Sequence, residues 1–519
     1  MAIAGSERST RVQPLPAESK RMPPLELLVF VVGSSTLGAE IAAARLMAPY
    51  FGASTIVWAN TIAIVLVALS IGYWFGGRLA DRHPHMRGLC LLVLVAAVLL
   101  AFVPIVADPF LSLSVKAFDT FSLGAFAGSL FGVLVLVAVP VLMLGAVSPW
   151  AIRLKLARVE GAGQLAGRMY AISTVGSLLG TFLSALLLIP LVGTQRTFLT
   201  FAIALAVVAA LGLGRRFVVV PLALAAMLLL SPGTTKAAER GELIHEADTE
   251  YQYARVIEYE DGERHLELNE GQAVHSIYRP DSVLTDNVWD GYLIAPFAAR
   301  REPPKSIAIL GTAGGTTARA YAKYFPATEI DAVEIDGELF DIAREYFDLR
   351  PRPQLETFAE DARPFLRRTD ERYDAIFVDA YRQPYIPFYL TSREFFDLAK
   401  SRLNPGGVVV VNVGHPESSQ DLEQVLSETV ASVFPNVVRD PIARVNTLLI
   451  ASNEPVSAEN MRAAAQTVPA DLKPLVAAAA TRVGPRLRGG EVYTDDLAPV
   501  EWLIDKSIVQ YAAGEIPPE

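Results

Sequence analysis

Three carboxylates in the second half of this 519-residue chain stand where they could do chemistry: Glu334, Asp361 and Asp379. Each follows a short apolar stretch of strand character, Ile330–Val333, Thr357–Ala359 and Tyr373–Val378. Upstream of them lies a glycine-rich turn, Gly311-Thr312-Ala313-Gly314-Gly315. Small residues at Gly311, Ala313 and Gly315 let the backbone approach a ligand where a Cβ would collide. Glu334 follows about 20 residues later, where an acid at the tip of a second strand accepts both hydroxyls of a ribose. Many strand-to-helix turns need glycine only for packing. The placed acid moves the reading to a nucleoside site.

The elements that must position these groups are legible in the same stretch. Ile307–Leu310 reads as a buried parallel strand, Ala318–Tyr324 has helical spacing, and Ile330–Ile335 is a second strand. The segment from Thr357 through Asp361-Ala362 to Leu366 reads as strand then helix, and Tyr373–Asp379 as a further buried strand. The three acids then reach one edge of the sheet, the crevice in which open α/β sheets bind ligands. Ahead of this region, from His245, the pattern is period two, with Asp261-Gly262 as a hairpin turn between Tyr251–Tyr259 and Arg264–Asn269.

This order resembles the class I S-adenosylmethionine-type methyltransferase fold and, within it, the spermidine synthase (polyamine aminopropyltransferase) family, over about residues 245–450. The resemblance implies that Gly311, Ala313, Gly314 and Gly315 hold the nucleoside and that Glu334 binds its ribose. It implies that Asp361, of the Asp361-Ala362 pair, meets the adenine amino group, and that Asp379 acts as base on an attacking amine. Tyr251-Gln252 matches the family's Tyr-Gln pair, which places Gln252 on the nucleoside. Leu266–Gln272 resembles a second family segment, and Leu403-Asn-Pro-Gly406-Gly407 is typical of the fold. The proline- and aromatic-rich loop Ala380–Thr391, with Pro387, is placed to cover the adenine and line the acceptor site. Tyr493–Glu501 resembles the closing signature of membrane-fused relatives; there Asp495 and Asp496 are expected to start a helix, since acids favour that position, rather than to reach the acceptor pocket.

The implied donor is decarboxylated S-adenosylmethionine, the partner a small-molecule amine, and the reaction a direct displacement that releases methylthioadenosine. An alkylamine titrates near 10.4, so a carboxylate such as Asp379 must help it lose its proton. Three departures bear on the substrate. Gly314 stands where the family usually carries an acid in the turn, Arg382 stands where a second acid usually holds the diamine, and Val288-Trp289-Asp290-Gly291 does not match the gate triplet. Unit charges 4 Å apart are worth about 4 kcal/mol at an effective dielectric near 20, enough to change a preferred substrate. Ordinary S-adenosylmethionine then becomes an alternative donor, with methyl or aminocarboxypropyl transfer as the reaction. A transporter or sensor with a non-catalytic nucleoside-binding domain is the third reading.

Apolar residues make up 52% of the chain against 19% charged, and the excess lies before residue 235. Seven apolar runs, at about 25–48, 54–77, 88–107, 124–149, 169–193, 197–214 and 217–233, mostly reach the roughly 20 residues that cross a hydrocarbon core. They predict a transmembrane domain of about seven helices over 25–233, behind a disordered tail (1–24), in contact with membrane lipid. Basic residues cluster after alternate runs (Arg78, Arg82, Arg87; Arg153, Lys155, Arg158, Arg168; Arg215, Arg216), which makes that face cytoplasmic. Seven crossings would deliver the rest of the chain to the other side. The short last run, interrupted by Pro221, offers a re-entrant alternative, and the catalytic domain is expected in the cytoplasm, where the donor is made. Gly72, Gly76 and Gly77 before Arg78-Leu-Ala-Asp81-Arg82 resemble a transporter loop, and Glu40 and Arg45 are the charges inside the runs. The remaining expected divisions are a small β-domain (245–300), a Rossmann-like domain (301–455) and a helical segment (456–519). A net charge of −10 argues against a nucleic-acid partner. Cys90 alone forms no disulfide framework, and six scattered histidines give no metal-ligand spacing, so no metal is expected. A homodimer through the catalytic domain is what the resemblance adds.

Overall fold

The computed structural model describes residues 24–503 except 52–54, 121–123, 157–160, 230–235, 237, 239, 270–272, 382–385, 416, 418 and 502. The amino-terminal tail, Arg158, Glu270-Gly271-Gln272 and Arg382–Tyr385 lie outside the described residues. The chain divides into two compact units, one made mostly of the apolar helices and the other containing all of Lys236–Glu519.

Among the described residues six helices, lying wholly or mostly in the first unit, are long and apolar enough to cross a membrane: Leu25–Phe51, Val57–Arg82, Met86–Ser114, Ala138–Lys155, Ala162–Val192 and Thr194–Leu213. The expected seventh is not among them. The last run folds as a four-residue 3₁₀ turn, Arg215–Val218, and a ten-residue helix, Val219–Leu228, with Pro221 in its first turn. Ten residues rise about 15 Å, half of a hydrocarbon core. The fourth run is divided, with a short helix (Ala127–Leu136) before the long one. The Leu25–Phe51 and Ala162–Val192 helices meet backbone to backbone. A Cβ on Gly176 would overlap the Phe30 carbonyl oxygen, one on Gly180 that of Ser34, and one on Gly33 that of Ser173. Small residues permit such approaches where apolar burial gives no preference between protein and lipid.

The second unit holds two sheets. A four-stranded antiparallel sheet runs in order β1 (Glu242–Asp248), β2 (Tyr253–Glu258), β3 (Arg264–Leu268), β4 (Val274–Tyr278), with the expected Asp261-Gly262 turn between β2 and β3 and Gly262 at φ +79°. The larger sheet is built from β5 (Ser306–Leu310), β6 (Glu329–Glu334), β7 (Leu355–Ala359), β8 (Tyr373–Val378), β9 (Leu403–Gly414), β10 (Asn436–Ala443), β11 (Asn446–Ser452) and β12 (Gly484–Pro485). Their spatial order is β12-β10-β11-β9-β8-β5-β6-β7. The strands from β7 to β9 are parallel, and β11, β10 and β12 continue antiparallel. This is a Rossmann-like mixed sheet. β5 and β8 read as continuous apolar runs because both of their faces are covered. Ile307, Ile309 and Phe377 enter one core, and Ala308, Leu310, Ile376 and Val378 the other.

Beyond residue 456 the described residues form the helices Ala458–Ala464 and Lys473–Arg482, with a 3₁₀ turn, Ala470–Leu472, between them. Gly484, Pro485, Gly489 and Gly490 stop helix formation; Gly484–Pro485 adds β12 at the sheet edge, and the chain then runs without helix or strand to Pro499.

Candidate active site

Gly311 ends β5 at φ +90°, and a Cβ there would overlap the carbonyl oxygen of Asp379. The glycine therefore lets the turn lie directly against the end of β8. Hydrogen bonds fix the junction: Gly311 N–H donates to Val333 O at 2.9 Å, and Asp379 N–H to Leu310 O at 2.8 Å. Ala313 is also left-handed (φ +47°), and its N–H donates to Glu334 Oε2 at 2.9 Å. An alanine held there stores strain that the surrounding turn must offset. Gly314 donates its N–H to Ser276 Oγ of β4 at 2.8 Å, and Gly315, at φ +80°, precedes the Thr316–Tyr324 helix.

The three acids arrive from the parallel strands β6, β7 and β8, with β5 and its glycine turn between β8 and β6. Glu334, at the end of β6, also accepts from Asp336 N–H at 3.3 Å; burial pushes its carboxyl up to about 7, against the pull of those amide N–H groups. Asp336, 1% exposed, accepts from Thr249 Oγ1 at 2.6 Å and from Gln252 Nε2 at 3.2 Å. Asp361, just past β7, caps the Ala362–Arg368 helix by accepting from Arg363 N–H at 2.9 Å, and accepts from the Tyr389 hydroxyl at 2.6 Å. Asp379 accepts from Asn412 Nδ2 at 2.8 Å, and Asn446 Nδ2 donates to Asn412 Oδ1 at 2.9 Å. Two amides in series thus orient the Asp379 carboxylate. Burial pushes it up to about 7, while Asn412, Tyr292 and Trp289 act in the opposite sense. The Tyr292 hydroxyl makes no hydrogen bond of ordinary geometry.

These groups surround one cavity of about 690 Å³, a volume suited to a nucleoside-sized ligand. Gln252, Gly311, Ala313 and Glu334 line it, as do Asp361, Ala362, Asp379 and Pro387. Gly314 and Gly315 do not reach its wall. They support the turn from beneath, where a Cβ on Gly314 would lie 2.7 Å from Ser276 Cβ and one on Gly315 2.9 Å from Leu349 Cδ1. The wall carries Asp286, Glu334, Glu360, Asp361 and Asp379, and among the described residues no lysine or arginine, so it favours a cationic ligand. No cluster of metal-ligating residues occurs among the described residues.

Two acids weighed from the sequence do other work. Asp290 accepts from Thr285 N–H (2.9 Å), Thr285 Oγ1 (3.1 Å) and Asp286 N–H (2.8 Å), fastening the turn before the Val288–Tyr292 helix. Asp495 starts no helix; it pairs with both terminal nitrogens of Arg363, at 2.7 and 2.6 Å, and accepts from Ser392 Oγ at 2.6 Å. The sequence reading missed Asn412 and Asn446, which meet Asp379 only because β9 lies beside β8 and β11 beside β9. It missed Thr249 and Asp336 as the holders of Gln252, although Asp336 stands two residues after Glu334 in the motif itself.

The Spermine/spermidine synthase domain family matches residues 292–465. A "Probable polyamine aminopropyl transferase" of Bifidobacterium longum is 34% identical over 309 residues, covering 56% of this chain and 68% of that protein. A "Polyamine aminopropyltransferase" of Vibrio vulnificus is 36% identical over 134 residues, covering 25% of this chain and 44% of that protein. Among solved structures, a probable spermidine synthase from Corynebacterium glutamicum is 20% identical, with a TM-score of 0.38 over 51% of this chain and 99% of its own. With a third of positions identical along two thirds of the Bifidobacterium protein, this chain belongs to the polyamine aminopropyltransferase family of transferases.

Proposed function

We propose that the protein is a membrane-bound aminopropyltransferase that moves an alkyl group from the sulfonium of decarboxylated S-adenosylmethionine to an amine. The observation that carries this is Asp379, oriented by Asn412 and raised to about 7, on the wall of a carboxylate-lined cavity beside the glycine turn. In the reading, Glu334 accepts the ribose hydroxyls, Asp361 and Pro387 hold the adenine, and Gln252, braced by Asp336, flanks the nucleoside. The amine lone pair attacks the methylene carbon next to the sulfonium. A C–N bond forms, the C–S bond breaks with its electrons going to sulfur, and methylthioadenosine leaves. Asp379 accepts the proton that the amine gives up. A base near neutrality suits this task, since it is ionised at working pH and still takes up a proton. Alignment of amine, carbon and sulfur supplies the rest of the acceleration.

Full-length protein in detergent, given decarboxylated S-adenosylmethionine and a series of aliphatic amines, is expected to form methylthioadenosine. Asp379→Asn should lower kcat by about 10²–10⁴. Gly314 favours a second reading: the turn has no side chain there and no room for one, hence no acid to repel the carboxylate of ordinary S-adenosylmethionine. Adenosylhomocysteine as the product would establish methyl transfer instead.

The six long apolar helices support a bilayer location. Six crossings, an even number, return the chain to its starting face, and the reading keeps the catalytic unit in the cytoplasm with its donor. Green fluorescent protein fused after Glu519 should fluoresce; activity of an alkaline phosphatase fused there would reverse the orientation.

A further inference from the structure

We propose that His275 is a substrate-contacting residue whose imidazole accepts a hydrogen bond from the primary ammonium of an aliphatic amine bound in the cavity. The inference rests on the transferase reading above and deepens it. β4 runs along the glycine turn: Ser276 Oγ accepts the Gly314 N–H at 2.8 Å, and Ile277 N–H donates to Thr316 Oγ1 at 3.1 Å. His275, beside Ser276 on this strand, lines the cavity, and its Nε2 is shut off from solvent without a hydrogen-bond partner. A buried ring nitrogen left unpaired is costly, and a ligand that supplies the missing partner explains its place. Burial pushes the His275 ring down to about 4, so it is neutral at physiological pH and one of its nitrogens offers a lone pair. Around it the cavity wall is anionic, which selects a cation, and an alkylammonium is a cation with N–H groups to donate.

The glycine turn cannot make this contact. The N–H groups of Ala313 and Gly314 are donors, and both are already committed, to Glu334 and Ser276. A side chain at Gly314 would meet Ser276 Cβ at 2.7 Å and Phe347 Cγ at 3.1 Å, so the turn offers no side-chain acceptor. Glu334, Asp361 and Asp379 keep acceptor capacity, but the transferase reading gives it to the ribose, the adenine and the transferred proton. His275 provides an acceptor in this wall with no such commitment. The ammonium has two possible sources, the aminopropyl chain of the donor and the acceptor amine, and the ligands of the test separate them.

The test is calorimetric titration of full-length wild type, His275→Ala and His275→Gln with methylthioadenosine, decarboxylated S-adenosylmethionine and putrescine. Methylthioadenosine carries no ammonium and should bind wild type and both variants within about twofold. His275→Ala should weaken decarboxylated S-adenosylmethionine roughly tenfold if the donor's ammonium is held, or putrescine roughly tenfold if the acceptor's is. His275→Gln keeps a neutral acceptor and should recover most of the loss. The proposal is overturned if both amines bind His275→Ala as they bind wild type, if methylthioadenosine weakens in step with them, if glutamine restores nothing, or if wild type binds neither amine. Failure of the transferase reading shows separately, as absence of methylthioadenosine formation by wild type.

Discussion

At Asp379 catalysis and stability make opposite demands on one carboxylate. The reaction needs it ionised, while burial favours its protonated form and lifts it from 3.8 to about 7. Activity should therefore rise with pH through about 7, as the base loses its proton. Stability runs the other way. A folded-state pKa above the unfolded value contributes stability that is full below pH 3.8 and lost as pH rises through about 7. Asp379→Asn removes that penalty and keeps an oxygen for Asn412 Nδ2. Its Tm by differential scanning fluorimetry should exceed wild type by roughly 2–8 °C at pH 8 and by about half as much or less at pH 5, where the loss has only begun. An equal shift at both values would show that Asp379 is ionised in the folded protein throughout.

Among elements, the glycine turn and the segment Val483–Pro499 do the positioning. Gly311 allows β5 and β8 to end side by side, and Glu334 ties β6 to the turn through Ala313. That segment returns Asp495 to Arg363, the second residue of the helix that Asp361 caps. The Arg363 side chain is 10% exposed and Asp495 44%. Removing the acid leaves a buried cation without its partner, whereas removing the arginine leaves an anion that solvent reaches. Asp495→Ala should thus cost more than Arg363→Met, and a double-mutant cycle by chemical denaturation should give a coupling of about 1–3 kcal/mol. Additive effects would mean that the segment is held by packing through Tyr493 and Val500, both buried.

Across the whole molecule, the two units rest on different forces. The unit that contains Lys236–Glu519 separates apolar side chains from water on both faces of a sheet, whereas an apolar helix placed in lipid would gain nothing by hiding from its surroundings. Packing of small residues must then fix the bundle. Gly180→Leu would drive a side chain into the Ser34 backbone and should sharply lower the Tm of the detergent-solubilised protein. The same change at Gly77, where an added Cβ would meet nothing within 4 Å among the described residues, should be tolerated. If both behave alike, the contact between the Leu25–Phe51 and Ala162–Val192 helices is not what holds the bundle.

The sequence by itself determined the sheet that builds the site and the acids at its edge, because both are local. Strand periodicity, a turn that needs small residues, and an acid at a strand tip are all written within about 30 consecutive residues. Tertiary structure decided what surrounds those acids: Asn412 and Asn446 behind Asp379, Asp336 bracing Gln252, Tyr389 on Asp361, and Gly314 beneath the wall instead of on it. Each depends on strands and loops 28 to 84 positions apart meeting in space, and no spacing in the chain encodes that meeting. The apolar amino-terminal half divides in the same way. Hydropathy located every long apolar run, but whether a run makes a full crossing depends on where its helix begins and stops, and Val219–Leu228 stops after ten residues.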